Sequence, residues 1–196
     1  MWVDKGFSLD KASGLISPAR QVPSPNFNER PQDTEIRLIV VHGISLPPGE
    51  FGGSYIDDLF LNRLDPEMHP YFKGIAALTV SSHILVDRQG AVTQYVPLHK
   101  RAWHAGQSQF RGITDCNNYS IGIELEGADE VPYENIQYAC LGKLINLLMA
   151  SYPAIQSESV VGHSTIAPGR KTDPGPAFDW DKLRSSVINL RASSFG

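Results

Sequence analysis

The sequence predicts a mixed α/β (α+β) protein in which helices flank a central mixed β-sheet, and three segments carry this prediction. Residues 36–42 form a nearly continuous run of apolar, mostly β-branched side chains, which is typical of a strand buried on both faces. Residues 120–126 alternate apolar and polar side chains, as a half-buried strand does. Residues 133–152 place apolar side chains at helical spacing and end before Pro153. Strands and helices therefore follow one another, which favours a sheet covered by helices.

The segments between these three elements are consistent with the same class. Ser54 and Asp57 resemble a capping box and predict a short amphipathic helix after them. Residues 78–86 and 91–96 flank a tight turn and predict an antiparallel hairpin. Residues 101–118 are rich in Gly, Gln, Ser and Asn, which indicates a long loop, and long loops in compact domains are usually functional.

The chain of 196 residues is expected to form a single domain. Residues 1–35 are polar and proline-rich, so we expect an irregular N-terminal wrap with little regular structure. The core would span about residues 36–180. Asp179 is a candidate cap for a last helix, over about residues 180–191, in which Leu190 is the final apolar position.

Composition and charge exclude several functions. The 21 acidic and 17 basic residues give a net charge of −4, so the chain lacks the basic field that a nucleic-acid partner would require. No apolar run approaches the roughly 18 residues of a membrane helix, and the N-terminus lacks a secretory signal, so we expect a cytoplasmic protein without a membrane partner. Two cysteines are too few for a disulfide scaffold.

A candidate metal site follows from two histidines and one aspartate. His42 ends the first predicted strand, where a lone histidine is more often structural than functional. His163 ends a second short apolar run, and Asp173 follows it in the chain. Two imidazoles and one carboxylate supply the three ligands of a catalytic zinc and leave one position open. The same ligand types also hold Fe(II) in oxygenases, so these residue types leave both metals open.

Two further groups could work beside such a metal. Glu124 lies on the polar face of the alternating strand, where Gly122 leaves space for a ligand or another backbone. Alternation cannot choose between Glu124 and Glu126, which share that face, and a solvated face would explain both. Lys171 lies two residues before Asp173 and should point to the same side, although a surface ion pair is the alternative.

The long loop contains candidate substrate-binding residues. Trp103 and His104 occur together there, and an exposed indole can stack on a sugar ring. His83 lies inside a predicted strand and is expected to be a packed or supporting histidine, not a metal ligand.

Several motifs together resemble one known family. They are IVVHGIS at 39–45, HPYF at 69–72, RAWHAG at 101–106, IGIELEG at 121–127 and GHSTIAPGRKTDPGPAFDW at 162–180. In this order they resemble the AmpD-type N-acetylmuramoyl-L-alanine amidases, cytosolic zinc enzymes of peptidoglycan recycling. The resemblance covers roughly residues 23–180. It implies a mixed sheet flanked by helices, as in phage-lysozyme-type amidases and peptidoglycan recognition proteins.

The resemblance also implies roles for individual residues. Matched position by position, His42, His163 and Asp173 would bind one zinc ion per chain. Glu124, the first glutamate of IELEG, would act on the attacking water. Lys171, the lysine of KTDPG, would stabilise charge in the transition state.

The implied substrate is a small molecule, an anhydro-muropeptide, cleaved by a monomeric enzyme between anhydro-N-acetylmuramic acid and L-alanine. Trp103 and His104 resemble part of the wall that binds the muramoyl group. Family members commonly have Asn after the first histidine, whereas this chain has Gly43, so we expect weaker sugar binding and a lower KM in Gly43→Asn. An exported cell-wall amidase and a non-catalytic peptidoglycan-binding module are the alternatives.

Overall fold

A computed structural model describes residues 6–187 of the chain. These residues form one six-stranded sheet, three two-stranded sheets and four α-helices. The strands are β1 (Ser8–Asp10), β2 (Leu15–Ser17), β3 (Arg20–Gln21), β4 (Phe27–Asn28), β5 (Leu38–Ile44), β6 (Ile84–Val86), β7 (Val92–Gln94), β8 (Arg101–Ala102), β9 (Gln109–Phe110), β10 (Ile113–Thr114), β11 (Ser120–Glu126) and β12 (Val160–Gly162). The helices are α1 (Tyr55–Phe60), α2 (Asn135–Ser151), α3 (His163–Ile166) and α4 (Trp180–Ser186), with 3-10 turns at Pro70–Gly74, Cys116–Asn118 and Ser157–Ser159.

The six-stranded sheet has the order β12-β5-β11-β6-β7-β3. Strand β5 pairs in parallel with both β11 and β12, and β11 also pairs in parallel with β6. Strands β6 and β7 form the predicted antiparallel hairpin, so the sheet is mixed. The predicted fold class is confirmed.

The two faces of this sheet differ in chemistry because successive side chains of a strand point to opposite sides. One face carries fully buried apolar side chains that share a single core cluster with α2; these are Ile39, Val41, Ile121, Ile123 and Leu125. On the other face Glu124 of β11 lies in register with His42 of β5. The apolar face holds the sheet to its helix, and the carboxyl-terminal part of the other face, where His42 and Glu124 lie, is left for a site.

Helix α2 is the long amphipathic helix that the spacing of apolar residues predicts. Gln137, in its first turn, accepts a hydrogen bond from the backbone N–H of Glu134 at 3.0 Å. The amide of the same side chain donates to the carbonyls of Glu126 and Val86. These bonds fasten the start of α2 to the ends of two central strands.

The N-terminal segment is more regular than the sequence predicts. Strands β1 and β2 form a hairpin, and β3 pairs in parallel with β7 at the edge of the main sheet. The buried Gln94 side chain accepts from the N–H of Ile16 and donates to the carbonyl of Gly14, which binds the hairpin to β7. Strands of two or three residues are too short to produce a readable period in the sequence.

The capping box predicted at the start of α1 is wrong. Ser54 donates its hydroxyl to the carboxylate of Asp58 and makes no side-chain bond to the helix backbone. Asp57 instead binds the guanidinium of Arg20 through two hydrogen bonds and accepts a third from the hydroxyl of Tyr95. Asp57 therefore joins α1 to β3 and β7 and has no capping role.

Two predicted strands differ in detail from the structure. Regular pairing in the hairpin covers only Ile84–Val86 on the first side, shorter than the predicted 78–86. Strand β11 has the predicted bounds, but all seven of its residues are buried, so the half-buried interpretation is wrong. The cause is its central position between β5 and β6, with loops over its polar face.

The last described element is α4, which the carboxylate of Asp179 caps by accepting from the N–H of Lys182, as predicted. The helix ends at Ser186, and the predicted continuation towards Leu190 falls outside the described residues. Both cysteines are free and buried, and burial raises the pKa of the Cys140 thiol to about 12. No helix within residues 6–187 has the length and apolar character needed to cross a membrane.

Candidate metal centre and substrate cavity

The three predicted metal ligands converge at one edge of the sheet. His42 lies near the end of β5, and His163 immediately follows β12, which is the parallel neighbour of β5. Parallel neighbours deliver the residues at their carboxyl ends to the same edge. Asp173 reaches this point from the loop after α3, where its carbonyl accepts a hydrogen bond from the N–H of Ser164.

The donor atoms of this cluster have the spacing of a zinc site. The Nδ1 atoms of His42 and His163 lie 3.0 Å apart. Oδ2 of Asp173 lies 3.2 Å from Nδ1 of His42 and 3.1 Å from Nδ1 of His163. A tetrahedral zinc with bonds of about 2.0–2.1 Å separates its ligands by about 3.3 Å. Within residues 6–187 no other group of three His, Cys, Asp or Glu side chains brings its ligand atoms this close.

The protonation states of His42 and Asp173 suit a cation. Burial lowers the pKa of His42 to about 4, so its ring is neutral at neutral pH, the form that binds a metal. Burial alone would raise the pKa of Asp173, but hydrogen bonds from His163 and His42 outweigh it and hold that pKa well below its usual value. The donor set is thus a carboxylate anion beside neutral imidazole, which fits a divalent ion.

Glu124 lies beside the cluster without belonging to it. Its Oε1 is 4.0 Å from Nδ1 of His42, and its side chain is almost wholly buried. Burial raises the pKa of Glu124 well above its usual value, and the charge of Asp173 adds to this effect, while Lys171 opposes it. A carboxyl group whose pKa is raised in this way holds a proton more strongly than an ordinary carboxylate, which suits a group that accepts a proton and later returns it.

The structure separates Glu124 from Glu126, which the sequence cannot do. Both side chains are buried, with exposures of 7% and 4%, so the solvated-face alternative is wrong. The two carboxylate oxygens of Glu126 accept hydrogen bonds from the backbone N–H groups of Gly52 and Arg88. Glu126 therefore holds two loops, whereas Glu124 lines the cavity above the metal cluster.

A cavity of about 620 Å³ opens over this edge of the sheet. Its volume lies in the range of small-molecule sites. Its lining contains all the predicted site residues and several apolar groups; they include His42, Gly43, Trp103, His104, Glu124, His163, Lys171, Asp173, Tyr71, Ile75 and Leu78. The structure thus brings the predicted residues to one place, and their individual roles remain predictions.

Trp103 and Lys171 both line the cavity but differ in exposure and in the contacts that hold them. Trp103 is half-buried, and its indole N–H donates to Oδ1 of Asn28 at 3.0 Å, which fixes the ring in the cavity wall. Lys171 is exposed at the mouth, and its backbone N–H donates to the carbonyl of Ala167. Asp173 makes its hydrogen bonds with the two histidines, so the simple surface pair of Lys171 with Asp173 is not what the structure shows.

Position 43 does not direct a side chain into open space. A Cβ atom built on Gly43 would lie 2.3 Å from the hydroxyl of Tyr133 and 3.4 Å from Cα of Pro174. That hydroxyl donates to the carbonyl of Pro174 at 3.0 Å. Gly43 therefore contributes backbone to the cavity. The structure leaves no room for the side-chain amide that we expected Asn to add to the sugar site at this position.

His104 has contacts that sequence reasoning missed. Its Nδ1 lies 3.0 Å from Nε2 of His42, and its Nε2 lies 3.1 Å from the hydroxyl of Ser120. The ring also fills the space above Gly122, where a Cβ would come within 2.5 Å of it. His83 is the packed histidine that the sequence predicts, because its Nδ1 accepts the backbone N–H of Gly122.

The sequence itself matches a family model described as N-acetylmuramoyl-L-alanine amidase over residues 32–176. The chain belongs to this amidase family. Over 178 residues the amidase is 51% identical to the 1,6-anhydro-N-acetylmuramyl-L-alanine amidase AmpD of Haemophilus influenzae, covering 91% of this chain and 97% of that relative. The corresponding Escherichia coli K12 protein is 54% identical over 174 residues, which are 89% of this chain and 94% of the relative.

Solved structures agree with this membership. The amidase superimposes on a crystal structure of a selenomethionine AmpD derivative with a TM-score of 0.89, at 54% identity over 92% of this chain and 99% of the other. It also matches the Escherichia coli amidase AmiD in complex with the substrate anhydro-N-acetylmuramic acid-L-Ala-D-gamma-Glu-L-Lys. There the TM-score is 0.57, at 31% identity over 93% and 66% of the two chains. The resemblance drawn from the motifs is confirmed.

Proposed function

We propose that this amidase hydrolyses the amide bond between anhydro-N-acetylmuramic acid and L-alanine of muropeptides with the help of one zinc ion per chain. The observation that carries the proposal is the cluster of His42, His163 and Asp173 beside Glu124 in the cavity. The relatives that are 51–55% identical are named for this bond, which supports the choice of substrate.

His42, His163 and Asp173 would hold the zinc ion, since their donor atoms already have suitable spacing. A zinc ion bound there polarises the scissile carbonyl group and lowers the pKa of the attacking water. With a divalent ion, two neutral ligands and one anionic ligand would give the site a net positive charge, which favours a carbonyl oxygen that becomes negative during the reaction.

Glu124 would move the proton. Its buried carboxylate takes a proton from water as the water oxygen attacks the lactyl carbonyl carbon. When the C–N bond breaks, Glu124 returns that proton to the departing amine of L-alanine. The products are anhydro-N-acetylmuramic acid and the stem peptide. The ammonium group of Lys171, at the mouth of the cavity, would stabilise the negative oxygen of the tetrahedral intermediate.

The cavity wall would bind the muramoyl group. The indole of Trp103 is held by Asn28 and presents an apolar ring for a sugar face. His104 lies next to Trp103 in the cavity wall, and Gly43 contributes backbone atoms to the same wall. The substrate in the Escherichia coli AmiD complex is a muropeptide, which supports a small-molecule ligand of this class here.

We further propose that the enzyme is a cytoplasmic monomer with a single domain over residues 1–196; the names of its relatives support the muropeptide substrate. An exported cell-wall amidase is the second candidate. A relative named without the anhydro sugar, the N-acetylmuramoyl-L-alanine amidase AmiD of Escherichia coli, is 41% identical over 133 residues, which are 58% of this chain and 48% of AmiD. Activity on intact peptidoglycan that exceeds activity on anhydro-muropeptides would favour this second function.

The decisive experiment is mass spectrometry of an anhydro-muropeptide after incubation with the zinc-loaded protein. We expect release of the intact stem peptide and of anhydro-N-acetylmuramic acid, about one zinc per chain, and loss of activity on chelation that zinc restores. Absence of cleavage by fully zinc-loaded protein would refute the reaction. Full activity after verified metal removal would refute the role of the metal.

A further inference from the structure

We propose that the segment His104–Ala105 positions both metal-binding histidines, and that the side chain of Asn117 holds this segment in place. The inference rests on the metal site of the proposed function and adds the group that fixes its ligands. None of the positioning atoms belongs to the cluster of donor atoms itself.

His104 orients His42 through the ring nitrogen that does not face the cluster. Nδ1 of His42 lies among the donor atoms, so a neutral ring that binds metal there carries its proton on Nε2. That Nε2 lies 3.0 Å from Nδ1 of His104, and the two rings stand at 88° to each other. With a metal ion on Nδ1 in place of the proton shared with Asp173, the N–H of His42 would therefore donate to His104, which would fix both the tautomer and the tilt of the ligand.

His104 is in turn held on its other side. Nδ1 of His104 then accepts the N–H of His42, so the proton of the His104 ring lies on Nε2. Nε2 donates this proton to the hydroxyl of the fully buried Ser120 at 3.1 Å. Gly122 leaves the room that the ring occupies. Ser120, His104 and His42 thus form one directed chain of hydrogen bonds.

The next residue along the loop orients the second histidine. Nε2 of His163 lies 3.2 Å from the carbonyl oxygen of Ala105, which accepts its N–H and leaves Nδ1 free to face the cluster. The same carbonyl also accepts a hydrogen bond from the guanidinium of Arg170 at 2.6 Å. Two adjacent residues therefore set the tautomers of both imidazole ligands.

One side-chain oxygen fixes this pair of residues. Oδ1 of Asn117 accepts the backbone N–H of His104 at 3.1 Å and that of Ala105 at 2.8 Å. Asn117 is buried, with 7% exposure. Loss of this oxygen would release both orienting groups at once, although no hydrogen bond found within residues 6–187 joins the Asn117 side chain to His42 or His163.

The test measures zinc affinity by competition with a fluorescent chelator. Outer partners of metal ligands typically contribute 10- to 100-fold in affinity, so we expect His104→Phe and Asn117→Ala to weaken zinc binding by about this factor. Asn117→Asp keeps an accepting oxygen and should restore most of the affinity. His99→Phe removes an exposed histidine ring from a nearby loop and should leave zinc affinity unchanged.

The outcomes separate this inference from the metal site on which it rests. Wild-type zinc affinity in folded His104→Phe and Asn117→Ala would refute the positioning role. Unchanged zinc binding in His42→Ala and His163→Ala would refute the metal site itself. Ring-nitrogen NMR of the zinc-loaded wild-type protein tests the tautomers without any variant. We expect protonated Nε2 in both ligands, and protonated Nδ1 in either would overturn the proposal.

Discussion

Glu124 and Glu126 lie two residues apart on the same face of β11, are buried to nearly the same extent, and end in the same functional group. Their surroundings differ. Both oxygens of Glu126 are taken by the backbone N–H groups of Gly52 and Arg88. Glu124 accepts no hydrogen bond from any residue between 6 and 187, and its neighbours are the metal cluster and the cavity.

This difference separates a structural carboxylate, Glu126, from the one that we propose to react, Glu124, on the same strand. Backbone N–H donors to both oxygens hold the Glu126 carboxylate against two loops, outside the lining of the cavity. A buried carboxylate without such donors keeps a raised pKa and free lone pairs. The loops that close over a strand therefore decide the chemistry of its residues.

The largest effect is expected from Glu124→Gln, which keeps the shape of the side chain but cannot accept a proton. We expect kcat to fall by about 10²–10⁴, the usual contribution of a positioned general base, with zinc content unchanged. Steady-state kinetics and zinc stoichiometry measure this. Near-normal turnover would show that Glu124 is not the base.

Lys171→Met should have the next largest effect. The substitution removes the charge that we place next to the developing oxyanion, so kcat should fall by roughly 10²–10³ with little change in KM. Met has a similar length, and position 171 is exposed, so the fold should persist. A rise in KM alone would instead indicate a role in ground-state binding.

Glu126→Gln is the matched comparison for Glu124→Gln. One accepting oxygen becomes an NH₂ group that faces N–H donors, which should destabilise the fold by about 1–3 kcal/mol. The residues around the cluster remain, so kcat should stay near the wild-type value. Thermal unfolding and kinetics test the two parts, and a loss of kcat equal to that of Glu124→Gln would remove the distinction between the two glutamates.

The smallest effect concerns the pH dependence of stability in the metal-free protein. The folded-state pKa of Glu124 is raised above the usual value of 4.5, so folding is penalised once pH exceeds that value. The penalty is complete above the folded-state pKa and disappears below about pH 4.5. Glu124→Gln should therefore unfold at a higher temperature than wild type at pH 8 and lose this advantage in acid.

In a domain of this size, each kcal/mol of stability changes the melting temperature by about 2–4 °C, which sets the size of the expected difference. Glu126→Gln should show no such gain at pH 8. A lower melting temperature for Glu124→Gln at pH 8 would contradict the burial penalty that distinguishes Glu124.

Much of the fold and of the candidate site could be predicted from sequence where the evidence is local. Strand β11 has the predicted bounds because alternation and length are properties of seven consecutive residues. His42, His163 and Asp173 could be proposed as ligands because zinc selects residue types, and short motifs supply their order.

Other features depend on residues distant in sequence. The choice between Glu124 and Glu126 depends on backbone N–H groups from two loops, and no pattern within β11 contains that information. The environment of Gly43 depends on Tyr133, whose hydroxyl occupies the space that a side chain would need. His104 has the same limitation, because its partners lie on other strands and its hydrogen bonds appear only after folding.

The packing of His104 on Gly122 has a consequence for scanning mutagenesis of this amidase. A methyl group at position 122 would meet the imidazole ring at 2.5 Å and would have to displace it from His42 and Ser120. An alanine scan would then record Gly122 among the most sensitive positions of the enzyme, although it has no functional group. Read without the structure, such a result would place a glycine in the catalytic machinery, when its contribution is the volume that it leaves empty.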